Sequence, residues 1–284
     1  MLLPMRAFGE SIVGRRDNNE DAFRVRDDLG LFLVADGMGG HEGGEIASRV
    51  VADAVTDYFM GPVTNPAVTL DEAHQAPTSL GSPAANAYLD ATTRMERSRR
   101  GSGPVATRKH IELVEQLGRA IRRAQYEIEA LAKGDRDLHE MGTTLAALFL
   151  QEGFAVVAHV GDSRVYRLRD GELEQLTQDH SFVAELRAAG AWAILEHTTP
   201  QMAAMVTRCL APNANFEPDI EIHPVQDGDT FLLCSDGLSD VMHPRHIGAV
   251  LRDFEDPQEA SRELIRQAYR AGSQDNITAL VVRA

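Results

Sequence analysis

The chain is short of cysteine, of basic residues and of long apolar runs, and each shortage removes a class of function. Its two cysteines, Cys209 and Cys234, cannot build a disulfide framework and suit a reducing compartment. The sixth position after each is Asn215 or Asp240 rather than arginine, which argues against a thiol-based phosphate loop. Cys234 lies inside the apolar run TFLLCSDG and reads as a small core residue. No stretch approaches the roughly 20 apolar residues of a membrane span. The start, MLLPMRAFGES, lacks a charged region followed by a long apolar core, so neither anchor nor signal peptide is expected and the chain reads as cytoplasmic. Lys and Arg number 28 against 43 Asp and Glu, a formal charge of −15. That field argues against nucleic acid and anionic membrane as partners, because both require a basic surface. At first sight it also argues against handling phosphate.

What is present is an ordinary globular composition, 43% hydrophobic and 25% charged over 284 residues, enough for a sizeable core in one large domain or two small ones. One segment, about 61–110, departs from it. It holds 5 of the 12 prolines, includes APTSLGSPAANA and RGSGP, and shows no sustained period, so a long flexible insertion is expected there, with a helix over 84–100 as its one ordered part. Its Arg94–Arg100 cluster reads as a solvated surface run.

Elsewhere LGLFLVADG, GFAVVAHVGD and DTFLLCSDG read as strands, as do AFRVR, the segment that Thr143 and Thr144 begin, and the closing NITALVVRA. Asp170-Gly171 marks a hairpin within VYRLRDGELEQL. Helices are expected over about 42–59, 111–131, 245–252 and 258–269. Strands in consecutive hairpins with helices gathered in pairs predict an α+β fold of antiparallel sheets covered by helices.

Three strands end by delivering an Asp beside Gly: Ala35-Asp36-Gly37, Gly161-Asp162-Ser163 and Ser235-Asp236-Gly237. Two further acidic turns, Asn19-Glu20-Asp21 and Ser273-Gln274-Asp275-Asn276, precede strands. If the sheets bring these ends together, their carboxylates cannot all stay ionised without cations. Carboxylates and carbonyls without recurring Cys or His select magnesium, manganese or calcium over zinc. A site drawn from distant segments predicts a catalytic two-metal centre rather than a calcium loop. The glycine-rich DGMGGHEGGE fits neither nucleotide-binding pattern, since Glu42 stands where the dinucleotide motif requires glycine and Glu45 where the triphosphate motif requires lysine. His41 reads as a helix-start residue or a donor behind the metal ligands.

The motifs Arg16-Asp17-Asn18-Asn19-Glu20-Asp21, Ala35-Asp36-Gly37-Met38-Gly39-Gly40-His41, Met141-Gly142-Thr143-Thr144, Gly161-Asp162-Ser163-Arg164, Ser235-Asp236-Gly237-Leu238-Ser239-Asp240 and Asp275-Asn276-Ile277-Thr278 together resemble those of the PPM family, the bacterial type 2C metal-dependent serine/threonine protein phosphatases. The resemblance runs from about residue 8 to the C-terminus. It implies an αββα sandwich of two antiparallel sheets flanked by helix pairs, a single phosphatase domain over 1–284, and a flap at about 179–209. It further implies two Mn2+ or Mg2+ ions, with Asp36 bridging, Asp236 and Asp275 holding the first, and Glu20 with the Gly37 carbonyl holding the second. Asp162 and Asp240 match a weaker third site beside Asp236. Arg16 matches the residue that binds substrate phosphate, in preference to Arg15. Asp21 orients a water or the neighbouring loop.

The implied activity is hydrolysis of phosphoserine and phosphothreonine on proteins by a metal-bridging hydroxide, opposing Ser/Thr kinases in signalling, by a monomer. Met38 occupies the position where some relatives carry the histidine that protonates the leaving group. Thr143 and Thr144 are expected to be structural, and Trp192 to anchor the flap helix from within. A catalytically weak phosphoprotein-binding relative, or a hydrolase of small phosphoesters or nucleic acid, are the competing readings.

Overall fold

A computed structural model describes residues 5–39, 43–61, 108–214 and 216–284. Its strands in chain order are β1 (Arg6–Ile12), β2 (Asp21–Arg26), β3 (Leu31–Met38), β4 (Gly142–Thr143), β5 (Leu145–Gln151), β6 (Phe154–Val160), β7 (Arg164–Arg169), β8 (Glu172–Gln175), β9 (Asp219–Pro224), β10 (Thr230–Cys234) and β11 (Ile277–Arg283). One sheet has the order β1-β11-β10-β7-β8 and the other β2-β3-β5-β6-β9, with β4 paired to the end of β3. Every pairing is antiparallel. The helices are α1 (Gly43–Met60), α2 (Arg108–Gly134), α3 (Phe182–Ala188), α4 (Trp192–Leu195), α5 (Pro200–Ala203), α6 (Asp236–Ser239), α7 (Pro244–Asp253) and α8 (Pro257–Ala271). None of the described helices is long and apolar enough to cross a membrane.

The period-2 geometry of strands explains why the central ones are apolar throughout. In β10, Phe231 and Leu233 point into the space between the sheets, while Leu232 and Cys234 point outward under α7 and α8. In β3, Phe32 and Val34 meet them from the opposite sheet, while Leu31 and Leu33 face α1 and α2. The result is three apolar layers in a four-layer stack, the expected αββα sandwich. Burying each large side chain stabilises the fold by about 1.5–3 kcal/mol, and helix α2 contributes Leu113, Leu117, Ile121 and Ile128 from one face. Helix α8 starts under a side-chain cap, Asp256 accepting from Gln258 N at 2.8 Å and from Glu259 N at 3.2 Å.

Several boundaries differ from the sequence reading. Helix α2 begins at Arg108, so the last residues of the anticipated 61–110 insertion belong to the body, with His110 buried; 62–107, including the helix expected over 84–100, lies outside the described residues. Strands β1 and β9 were not anticipated; both are half-buried edge strands, β1 with weak apolar alternation, whereas β9 alternates through Asp219-Ile220-Glu221-Ile222-His223, a period-2 signal that the sequence reading did not use. The hairpin at Asp170-Gly171 is as expected, with φ of 50° and 83° at the two turn residues.

Candidate active site

Antiparallel pairing decides where the acidic turns end up. The end of β10 lies beside the start of β11 and the start of β7, pairing Cys234 with Ala279 and with Arg164. On the other sheet the start of β2 lies beside the end of β3, with Asp21 opposite Asp36. Asp36, Asp162, Asp236, Asp240 and Asp275 therefore gather at one rim of the sandwich, where a cleft of about 240 Å3 opens between Asp236–Val241 and Gly272–Asp275.

Two sets of hydrogen bonds hold the rim. The first joins the sheets through Asp21, whose Oδ2 accepts from the hydroxyls of Ser235 at 2.8 Å and Thr278 at 2.6 Å. Its backbone N donates to Asn19 Oδ1 at 3.2 Å, and Glu20 N donates to Asn276 Oδ1 at 2.8 Å. Asn276 Nδ2 in turn donates to the carbonyls of Val13 and Asn18. The second set fixes Asp36. Its N donates to Thr144 Oγ1 at 3.0 Å, and its carbonyl accepts from Thr143 Oγ1 and from Thr144 N, each at 2.9 Å. The structural role expected for these threonines is thus the clamping of the Asp36 backbone. Asn276, Ser235 and Thr278 escaped the sequence reading because a polar residue beside a strand end is ordinary turn chemistry until its partner is known.

Glu20 lies beside the end of β3, where Gly37 N donates to its carbonyl at 3.1 Å. A Cβ on Gly44 would stand 2.3 Å from Glu20 Oε2 and 2.9 Å from the Gly37 carbonyl carbon, so the first turn of α1 must be glycine for that carboxylate and carbonyl to meet. Gly40, His41 and Glu42 lie outside the described residues.

Crowding shows in the acidities. Burial, reinforced by Asp162, Asp240 and Asp275, pushes the Asp236 carboxyl up to about 8. Burial raises Asp21 to about 6, and burial with the neighbouring Asp179 raises Asp162 to about 6. Asp36, buried and facing Asp21, Asp236, Asp162 and Asp275, is raised well above the carboxylate range, and burial also raises Asp240. Asp236 Oδ1 and Asp21 Oδ1 are buried with no hydrogen-bond partner. Buried carboxylate oxygens of this kind require either a proton or a cation.

The guanidinium of Arg16 stands at the mouth, 56% exposed, and its Nη2 donates to Asp275 Oδ2 at 2.5 Å. Arg15 is turned away, its guanidinium 5.5 Å from the centre of the Tyr269 ring. Trp192 corrects an expectation: it is 63% exposed at the start of α4 rather than an interior anchor, because the short helices α3, α4 and α5 enclose no core of their own. Met38 follows Asp36 at the end of β3 and supplies no proton.

Comparison with known proteins agrees with this fold. A family model described as Protein phosphatase 2C matches residues 8–281. The serine/threonine phosphatase stp of Listeria monocytogenes is 30% identical over 270 residues, spanning 94% of this chain and 90% of that protein. The crystal structure of the Mycobacterium tuberculosis serine/threonine phosphatase PstP/Ppp superposes with a TM-score of 0.73 at 31% identity, covering 98% of each chain. The catalytic domain of PstP in complex with two manganese ions gives a TM-score of 0.72 at 30% identity, covering 98% of this chain and 97% of that one.

Proposed function

The chain belongs to the protein phosphatase 2C family, and on that premise we propose that it hydrolyses phosphoserine and phosphothreonine on proteins in a metal-dependent reaction centred on Asp36. The observation that carries this reading is the crowding of Asp36, Asp162, Asp236, Asp240 and Asp275 at one rim of the sandwich, with buried carboxylate oxygens of Asp236 and Asp21 left without a partner. That donor set, hard oxygens only, fits Mn2+ or Mg2+. Asp36, Asp236 and Asp275 would hold one ion and Asp36, Glu20 and the Gly37 carbonyl a second, with Asp162, Asp240 and Asp236 available to a third. When bound, such ions supply an activated water and neutralise charge on phosphate oxygens.

The chain's own groups do the rest. Arg16 presents planar N–H donors at the mouth, suited to two phosphate oxygens at once, and Asp275 holds its guanidinium in place. Asp21, fixed by Ser235 and Thr278, sets the spacing between the two sheet rims and keeps Asp36 opposite Asp236. In this reading the whole chain is one phosphatase domain with a flap at about 179–209, working as a monomer on the products of Ser/Thr kinases in cytoplasmic signalling. The free thiols Cys209 and Cys234 accord with that compartment.

The test is phosphate release from a phosphothreonine peptide with and without Mn2+, set beside a phosphotyrosine peptide and an aryl phosphate. Release confined to Mn2+ and strongest on phosphothreonine is expected. Undiminished release in excess chelator overturns the reading.

A further inference from the structure

Outside the carboxylate cleft, the described residues hold one group with metal-like spacing: His159, His180 and Asp219 offer ligand atoms that all lie within 4.8 Å of one another. The hydrogen bonds decide against a metal there. The Gly161 amide donates to His180 Nδ1 at 3.0 Å, and an amide N–H only donates, so Nδ1 carries a lone pair. The ring proton is therefore on Nε2, which donates to Asp219 Oδ2 at 3.1 Å. An ion on Nε2 would require an imidazolate or the loss of the Gly161 bond. Arg208 Nη1, donating to Asp219 Oδ1 at 3.1 Å, also opposes a cation at that carboxylate.

What the group does instead is grip one glycine. His180 N donates to the Gly161 carbonyl at 2.9 Å while its ring accepts from the Gly161 amide, so both backbone groups of Gly161 end on a single residue. His180 is buried, and its ring is stacked on that of His159, centroids 4.5 Å apart; His159 Nε2 donates to the Gln178 carbonyl at 2.8 Å. The pairing of β6 with β9 puts His159 opposite Asp219, which is why all three side chains meet. On its other side Gly161 leaves no room for a Cβ, which would stand 2.5 Å from Thr144 Cγ2, and its φ of 106° turns the chain from β6 to Asp162. Thr144 is the residue that accepts from Asp36 N, and its Oγ1 lies 2.7 Å from Ser163 Oγ.

We propose that His180 is a positioning residue for the cleft: held in one neutral tautomer by Asp219, it fixes the Gly161 turn and thereby aims the Asp162 carboxylate at Asp236 and Asp36. Asp162 is the leading charge acting on Asp236 and is among those acting on Asp36, so its direction matters to both. The inference rests on the phosphatase reading only in taking Asp162 as a metal ligand.

The test separates the two ring nitrogens on the full chain. In His180→Asn the amide oxygen takes the place of Nδ1 and still accepts from Gly161; in His180→Gln the side chain reaches the Nε2 place and loses that acceptor. Mn2+ binding is read by electron paramagnetic resonance of the free ion, with thermal midpoints recorded alongside. We expect H180Q to weaken the weakest Mn2+ site about tenfold or more, with H180N close to wild type. Asp219→Asn leaves His180 in place but offers an N–H toward Nε2, favouring the other tautomer, and is expected to reproduce the H180Q loss. Wild-type binding in H180Q and D219N, or equal losses in H180N and H180Q tracking their thermal midpoints, overturns the assignment. The phosphatase reading has its own readout, Mn2+-dependent phosphate release by the wild type, so failure of one is told from failure of the other.

Discussion

The space between the two sheets and the rim at their edge are built from the same strands and obey opposite rules. Between the sheets, Phe32 and Val34 of β3 meet Phe231 and Leu233 of β10 and Leu280 and Val282 of β11, and these six side chains are apolar and buried. Two residues beyond Val34, β3 delivers Asp36; three beyond Leu233, the chain after β10 reaches Asp236; and Asp275 stands just before β11. There burial is opposed by charge, and the carboxyls of Asp36 and Asp236 are pushed far above their usual range. The interior spends its contacts on stability, while the rim accepts repulsion that only a proton or a cation relieves. The rigid interior is what lets that repulsion persist, since the strands cannot splay without opening the core.

The sharpest way to break this comparison is Asp36→Asn. Mn2+-dependent kcat/KM on a phosphothreonine peptide is expected to fall about 1000-fold or more, while the metal-free thermal midpoint stays level or rises because one repelling carboxylate is gone. A fall in both would mean that Asp36 belongs to the stabilising interior. Next comes Leu233→Ala, which should cost about 2–5 kcal/mol of stability in denaturant titration and leave kcat per folded molecule near wild type. Loss of kcat in fully folded L233A would show that rim and interior are not separable.

The smallest effect expected is on pH dependence. Asp236 has a folded-state value raised to about 8, so its stabilising contribution is fully present below the ordinary carboxylate range and is lost as pH rises through about 8. In chelator, wild type should therefore lose stability relative to Asp236→Asn as pH climbs from the ordinary carboxylate range to about 8 and level off above it, and Mn2+ should cancel the difference. Thermal midpoints of the two proteins across pH, with and without Mn2+, read this directly. A parallel pair of curves in chelator would place Asp236 outside the repelling cluster.

Much of this was legible in the chain because strand period and turn chemistry are local. The runs LFLVADG and TFLLCSDG announce buried strands ending in an acid, and the helices expected over 42–59, 111–131, 245–252 and 258–269 fell within a few residues of those bounds, while the short helices α3 to α6 were given no bounds. Strand β9 was missed although it alternates through Asp219-Ile220-Glu221-Ile222-His223, because so short a period says nothing of where the strand pairs, and its Asp219 holds His180. Trp192 was misjudged because a lone aromatic in a short helix carries no sign of which face is covered.

The acidic balance of −15 shows the same division. By itself the sequence determined that acids stand at strand ends and that arginine precedes the first of them, since composition and spacing are properties of the chain alone. Only the tertiary structure decided that Asp21 bridges the sheets, that Arg16 rather than Arg15 faces the cleft, and that Gly161 is gripped from one side by His180 and packed from the other by Thr144. These contacts join residues far apart in sequence, so they exist only once antiparallel pairing has set the register and brought the strand ends to one rim.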